Sequence, residues 1–261
     1  MHFKNGGTPG RGRVGALSLA LVLATSLASL AEAGDADTTE ALKALKAARA
    51  KKDAVLVTEL VGKLVDLHNG TQDKSVKTPI QGALGGLLKN KKLDGVRSAA
   101  ARALGRLDDA EGAFKHLKKV FPSANSKASD GISLAALEAT GTLKPPAAIE
   151  LTLKLIAKGK DTEILKVAAA NIGGYVGVKE QVKIARVLCD ALVRYRKEFD
   201  KGAKAKKPTE QRLKQERWIT VAPAIRTSLN LLTGSERTSA DEWLSAYEEA
   251  NRKPEAWFAK G

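Results

Sequence analysis

Three stretches of the chain end in the same way. SAAARAL runs into Gly105, SLAALEAT into Gly141 and KVAAANI into Gly173, with the glycines 36 and 32 residues apart. Each alanine-rich stretch has helical period. After each glycine comes a turn carrying Asp108-Asp109, Pro145-Pro146 or Gly177, and then a bulkier apolar helix. A fixed period of this length constrains the fold more than any single motif, because each unit must bury its apolar face against the next.

The second helices match in column. Twelve residues past each glycine stand Leu117, Leu153 and Ala185, and fifteen past it stand Val120, Ile156 and Leu188. Alanines let the first helix of each pair approach its neighbours closely. The glycines are expected to end those helices at positive φ, where another residue would cost roughly 1 kcal/mol. AIRTSLNLLTG, ending on Gly234, reads as a fourth copy, and QGALGGLL around Gly85 as an irregular one.

Upstream, a first helix starts near Glu40 with Thr38 or Thr39 as its cap. Val55 to Leu67 marks a second, stopped by Asn69-Gly70. No segment alternates with period two, and β-branched and aromatic residues are sparse beside Ala and Leu, which argues against sheet. The reading is all-α: a right-handed α-α superhelix of helical hairpins with a C-terminal helical cap.

Val96 to Asp109 follows V-R-x-A-A-x-x-A-L-G-x-L-x-D almost literally. This resembles HEAT repeats of the bacterial, PBS-lyase-like type, well over Val96–Val193 and more loosely over Trp218–Gly234. Copy two departs from the pattern at Thr140 and lacks the arginine after Ile132. The resemblance implies an α-solenoid that serves as a protein-binding scaffold. LLTGSERTSADEWLSAYEEANRKPEAWF also resembles the tail that follows HEAT repeats in exported bacterial proteins, an architecture rather than an activity. Within it Ser239-x-x-Glu242 is a capping box, and Trp243 and Tyr247 share one face of the helix it starts, with Ala246 and Ala250. Trp257-Phe258 is expected to fold back beyond Pro254, making the tail a lid on the last repeat.

Residues 1–33 read as a secretory leader: a basic start, an apolar run from Val14 to Leu30 and the small-residue site Ala31-Glu32-Ala33. Removing them from 261 residues leaves 228, and because they carry a net +2 the remainder keeps +13 of the chain's +15. That charge favours polyanionic partners, while export disfavours nucleic acid. Cys189 is the sole cysteine, so no internal disulfide is available, and its apolar setting reads as a buried structural thiol. The organisation is therefore a leader at 1–33, irregular helices at 34–94, repeats at 95–199, a basic loop at 200–210, and a last repeat with its aromatic cap at 211–261.

Catalytic signatures are missing. His68 and His116 belong to no H-E-x-x-H, and neither a G-x-S-x-G elbow nor a phosphate-binding glycine loop occurs. His116 reads as a surface residue, and Asp108-Asp109 as helix-start chemistry. No cofactor or metal is expected. Two basic features remain. Thirteen residues after the repeat glycines stand Lys118, Lys154 and Arg186, with Lys115, Lys119, Lys158 and Lys183 nearby; in a HEAT solenoid these line the concave face. Arg194–Arg217 has a net charge of +6 and reads as a mobile loop, with only Tyr195 and Phe199 available for stacking on bases. The expectation is a non-enzymatic exported scaffold binding a protein or other acidic partner through its basic concave face. The alternatives are a charge-driven binder of envelope polyanions or anionic lipid, and a helical-repeat enzyme acting on a nucleic-acid base or chromophore.

Overall fold

The computed structural model describes residues 36–91, 94–124, 130–203 and 208–258. The proposed leader lies outside them. Among the described residues the chain is helical throughout, with no strand, and no helix is long and apolar enough to cross a membrane.

Helix α1 spans residues 36–51. Thr38 is buried inside it rather than capping it, so the helix begins earlier than the sequence suggested. There follow α2 (Ala54–Asn69), α3 (Lys74–Leu87), α4 (Asp94–Leu104), α5 (Ala110–Leu117), α6 (Gly131–Leu143), α7 (Ile149–Lys158), α8 (Thr162–Ile172), α9 (Gln181–Ala203), α10 (Pro208–Thr233) and α11 (Ala240–Glu249). Aspartates start five of them: the side chains of Asp53, Asp73, Asp109, Asp130 and Asp161 each accept a first-turn backbone N–H, satisfying donors that the helix itself leaves open.

The even-numbered helices meet in succession: α2 against α4, α4 against α6, α6 against α8, and α8 against α10. The odd-numbered ones pair α3 with α5 and α7 with α9. The repeat glycines explain the first series. A Cβ on Gly105 would stand 2.6 Å from the Cβ and 2.7 Å from the Cα of Ala139 on α6. On Gly141 it would overlap the Asn171 side chain of α8, and on Gly173 it would lie 2.7 Å from the Cα of Ser228 on α10. These three positions are close helix crossings. Their backbones are not in the positive-φ region, which corrects the sequence expectation: the missing Cβ is needed for approach, not for a left-handed turn. Gly141 lies within α6, which ends instead on Lys144 at φ 50°. Gly234 does behave as expected, closing α10 at φ 67° with open space around it.

Polar side chains stitch the same crossings. Asn171 Nδ2 donates to the Leu137 carbonyl at 2.6 Å, and Ser228 Oγ to the Ala169 carbonyl at 2.5 Å. The buried apolar residues form two clusters. One runs from Ala41 to Ala148 and the other from Ala124 to Tyr247, and they interleave at α6, where Ala135 and Ala136 belong to the first and Leu137 to the second.

The basic loop contracts. Residues 200–203 extend α9, and α10 is already helical from Pro208, so only 204–207 separate the two and lie outside the described residues. The two helices pack closely on each other. Phe199 and Trp218 meet at 6.3 Å between ring centroids, with the Arg196 guanidinium 5.4 Å from the Trp218 centroid. This burial of one face of each helix holds the basic run helical.

Candidate interaction surface

The six basic positions singled out in the second helices are all exposed, but their surroundings divide them. Lys183 on α9 pairs with Glu150 on α7, and Arg186 pairs with Glu255 beyond α11. Lys115 on α5, Lys118 at its C-terminal cap, and Lys154 and Lys158 on α7 form no ion pair among the described residues. Exposed pairs of this kind are worth at most about 1 kcal/mol each, so Lys183 and Arg186 serve mainly to bridge elements. The lysines without an ion pair therefore lie on α5 and α7 and just beyond them, at Lys119 and Lys160, while α5 also carries the exposed Glu111 in its first turn. α5 is too short to carry Lys118 within the helix. Lys115 and His116 occupy its last turn, where cations face the carbonyl end of the helix dipole favourably.

His116 is not a surface residue. It is half-buried and packed across Gly85 of α3, where an added Cβ would stand 2.6 Å from its Cγ. Gly85 is thus a contact point of the α3–α5 pair, as is Gly112, whose Cα lies against Gln81. Burial first, then Lys119, Lys115 and Lys89, hold the His116 pKa below its ordinary 6.5.

A second polar cluster escaped the sequence reading altogether. His68, fully buried near the end of α2, lies with Nδ1 3.1 Å from Asp108 Oδ1 and 3.1 Å from Asn69 Oδ1. Its Nε2 meets Gln81 Nε2 of α3 at 3.1 Å. Gln81 Nε2 also donates to Asp109 Oδ2 at 2.9 Å, and Lys77 Nζ donates to Asp108 Oδ2 at 2.6 Å. Since Nδ1 faces only acceptors and Gln81 offers two N–H groups, the consistent assignment has Nδ1 donating and Nε2 accepting. Asn69 completes the knot, donating to the Arg106 carbonyl at 2.8 Å and accepting from Asp108 N at 3.1 Å.

A histidine backed by a carboxylate is half of a general base. Here the other nitrogen, the one a substrate proton would need, is occupied by Gln81. The cluster is a latch that ties the α4–α5 turn to α2 and α3. The Lys77 hydrogen bond holds Asp108 below its ordinary 3.8, and hydrogen bonds from Gln81 and the Gly112 N–H do the same for Asp109. The sequence signal was Lys77 and Gln81, one turn apart among Val76, Ile80 and Leu84: polar residues at the edge of a face that should be apolar.

The C-terminal aromatics close on one another as expected. Trp243 and Tyr247 are each 1% exposed, and Trp257 stacks edge-on to Trp243 at 5.2 Å. Trp243 Nε1 donates to Asn230 Oδ1 at 2.9 Å, and Tyr247 Oη to Asp190 Oδ1 at 3.0 Å, so the polar tips of both rings are satisfied. The capping box is shifted by one residue: Ser239 accepts from Glu242 N, while the Glu242 carboxylate reaches back to Thr238 N. Cys189 is fully buried, and burial pushes its thiol pKa up. Among the described residues no group of His, Cys, Asp and Glu could hold a metal ion.

No family model, curated protein or solved structure matches this chain.

Proposed function

We propose that the chain is a HEAT-like, right-handed α-α solenoid exported from the cell, acting as a non-enzymatic scaffold that binds an acidic protein partner through the basic side of α5 and α7. The solenoid reading is supported by the serial helix contacts and by three glycine crossings at repeat-matched positions. The binding reading rests on one observation above others: Lys118 and Lys154 occupy equivalent repeat positions, are exposed, and have no carboxylate partner. Exposed cations without a paired carboxylate raise the local potential and favour an anionic surface. The concave face and the superhelical hand follow from the family likeness of Val96–Asp109.

The test is capture of partners from an envelope extract at moderate salt by the wild-type chain and by Lys118→Glu/Lys154→Glu. Retention of one or a few proteins by the first and their loss from the second supports the scaffold. Identical capture by both removes the surface from consideration. Capture of many acidic species that fades steeply as salt rises points to the polyanion reading instead, since exposed charges are screened within about 8 Å at physiological ionic strength.

A further inference from the structure

The latch around His68 contains an amide that cannot serve both its partners once the imidazole takes a second proton. His68 is fully buried and Gln81 is 8% exposed. Asp109 Oδ2 accepts from Gln81 Nε2 at 2.9 Å, which fixes the way the amide faces. The same Nε2 stands 3.1 Å from His68 Nε2 and so makes that ring nitrogen an acceptor. The amide also lies across the first turn of α5, where a Cβ on Gly112 would stand 2.6 Å from Gln81 Oε1 and 2.8 Å from its Nε2. The charged groups around the ring are few. Asp108 and Asp109 come from the α4–α5 turn, and Lys77 of α3 meets Asp108. Asp66 of α2 itself is exposed, two residues away. Among the described residues, α1, α4 and α5 bring no acidic or hydrogen-bonding side chain within reach of the ring.

We propose that His68 and Gln81 form a proton-operated switch: when His68 gains a proton at Nε2, the Gln81 amide turns over to accept from it, and the bond from Gln81 to Asp109 is lost. In the imidazolium both ring nitrogens donate. Nδ1 keeps its acceptors, Asp108 Oδ1 and Asn69 Oδ1. The new Nε2–H, however, points at the N–H groups of Gln81. Turning over about its terminal bond is the movement that brings Oε1 to that proton while keeping the amide within its packed space against Gly112. The same turn leaves Oε1 facing Asp109 Oδ2, so two acceptors confront each other where a hydrogen bond had been. Asp109 retains the Gly112 N–H on Oδ1 at 2.9 Å but loses its tie to α3. Proton uptake thus loosens α5 from α3 as pH falls. Because α5 carries Lys115, the switch bears on the basic surface; that use of it rests on the scaffold reading, whereas the switch itself does not.

The experiment follows the full chain by NMR from about pH 8 to about pH 5, the span over which imidazole ordinarily changes charge. Three signals are read: the His68 Nε2 resonance, assigned through its own backbone, the Gln81 side-chain amide protons, and hydrogen exchange of the α5 amides corrected for its intrinsic pH dependence. All three are expected to change with one midpoint. Exchange in α5 should rise about tenfold below it, the effect of one lost hydrogen bond to a charged group. Gln81→Glu presents an acceptor to His68 at every pH and should move the midpoint up by about one pH unit, a tenfold gain in proton affinity. Should that variant fail to fold, the wild-type signals still decide. Protonation of His68 with the Gln81 amide signals unmoved overturns the switch, as does a His68 Nε2 that stays unprotonated until the chain unfolds. A change in α5 exchange that follows the His116 titration instead also overturns it. None of these signals depends on partner capture, so failure of the scaffold reading and failure of the switch are separate results.

Discussion

The two halves of the core are secured by different chemistry. Around α2 to α5 the elements are joined by a polar knot in which buried His68, Gln81 and Lys77 meet the exposed carboxylates of Asp108 and Asp109. Around α9 to α11 the same task falls to aromatic rings, with Trp243, Tyr247 and Trp257 closing over α9 and α10 and Tyr195 buried within α9. The first half also holds Asp108 and Asp109 below the usual carboxylate range, and His116, packed between α3 and α5, below its own. The second depends on phenols whose pKa burial pushes up, at Tyr175, Tyr195 and Tyr247. One protein thus has an acid-sensitive half and an alkali-sensitive half.

The sharpest way to break the comparison is from the aromatic side. Trp243→Ala removes a fully buried indole and takes the donor from Asn230 Oδ1, and should cost about 3–5 kcal/mol in denaturant unfolding. The polar half should respond next. Gln81→Ala takes a donor from Asp109 and leaves the buried His68 Nε2 without one, at a cost of about 1–3 kcal/mol for a buried group left unsatisfied. If Gln81→Ala proves the larger, the polar knot and not the aromatic lid dominates.

Glycine provides a second test of similar size. Gly105→Ala drives a methyl into Ala139, and overpacking of this kind costs about 1–3 kcal/mol. Gly234→Ala meets no neighbour and carries only the strain of positive φ, roughly 1 kcal/mol. Had Gly105 been a left-handed turn, the two would cost the same; thermal unfolding of the pair decides it.

The pH dependence should divide along the same line. Asp108 and Asp109 bind protons less readily when folded, so their contribution is present above about pH 4 and lost as pH falls. His116 also has a lowered pKa, so its part begins to fade as pH drops below about 6.5. The tyrosines have the opposite sign. The folded protein keeps their protons longer, and stability declines as pH rises past about 10. Amide exchange resolved by region should show the α2–α5 segment opening first in acid and the α9–α11 segment first in alkali. The smallest effect is expected from Lys118→Glu/Lys154→Glu, within about 0.5 kcal/mol of wild type, because neither side chain holds anything within the chain.

Much of this was legible in the residues. Helical period gave the element types, the Ala-Leu pattern gave the buried faces, and S-x-x-E gave the start of α11. These are local properties: a cap or an amphipathic stripe is decided by residues within a turn or two of one another. What escaped was set by distance in the chain. Gly105 does follow the last residue of α4, but nothing near it in the chain reveals that Ala139, 34 residues later, lies against it. Arg186 looked like a member of a free basic column, with Lys183 adding charge nearby, yet Glu255 and Glu150 come from other elements to meet them. His116 looked exposed because Gly85, which makes room for its ring, lies on another helix. The sequence by itself determined that the chain is helical, repeated and strongly basic. Only the tertiary structure decided which glycines are contacts, which lysines remain free and which polar residues are buried together, since each depends on atoms that only folding brings into reach.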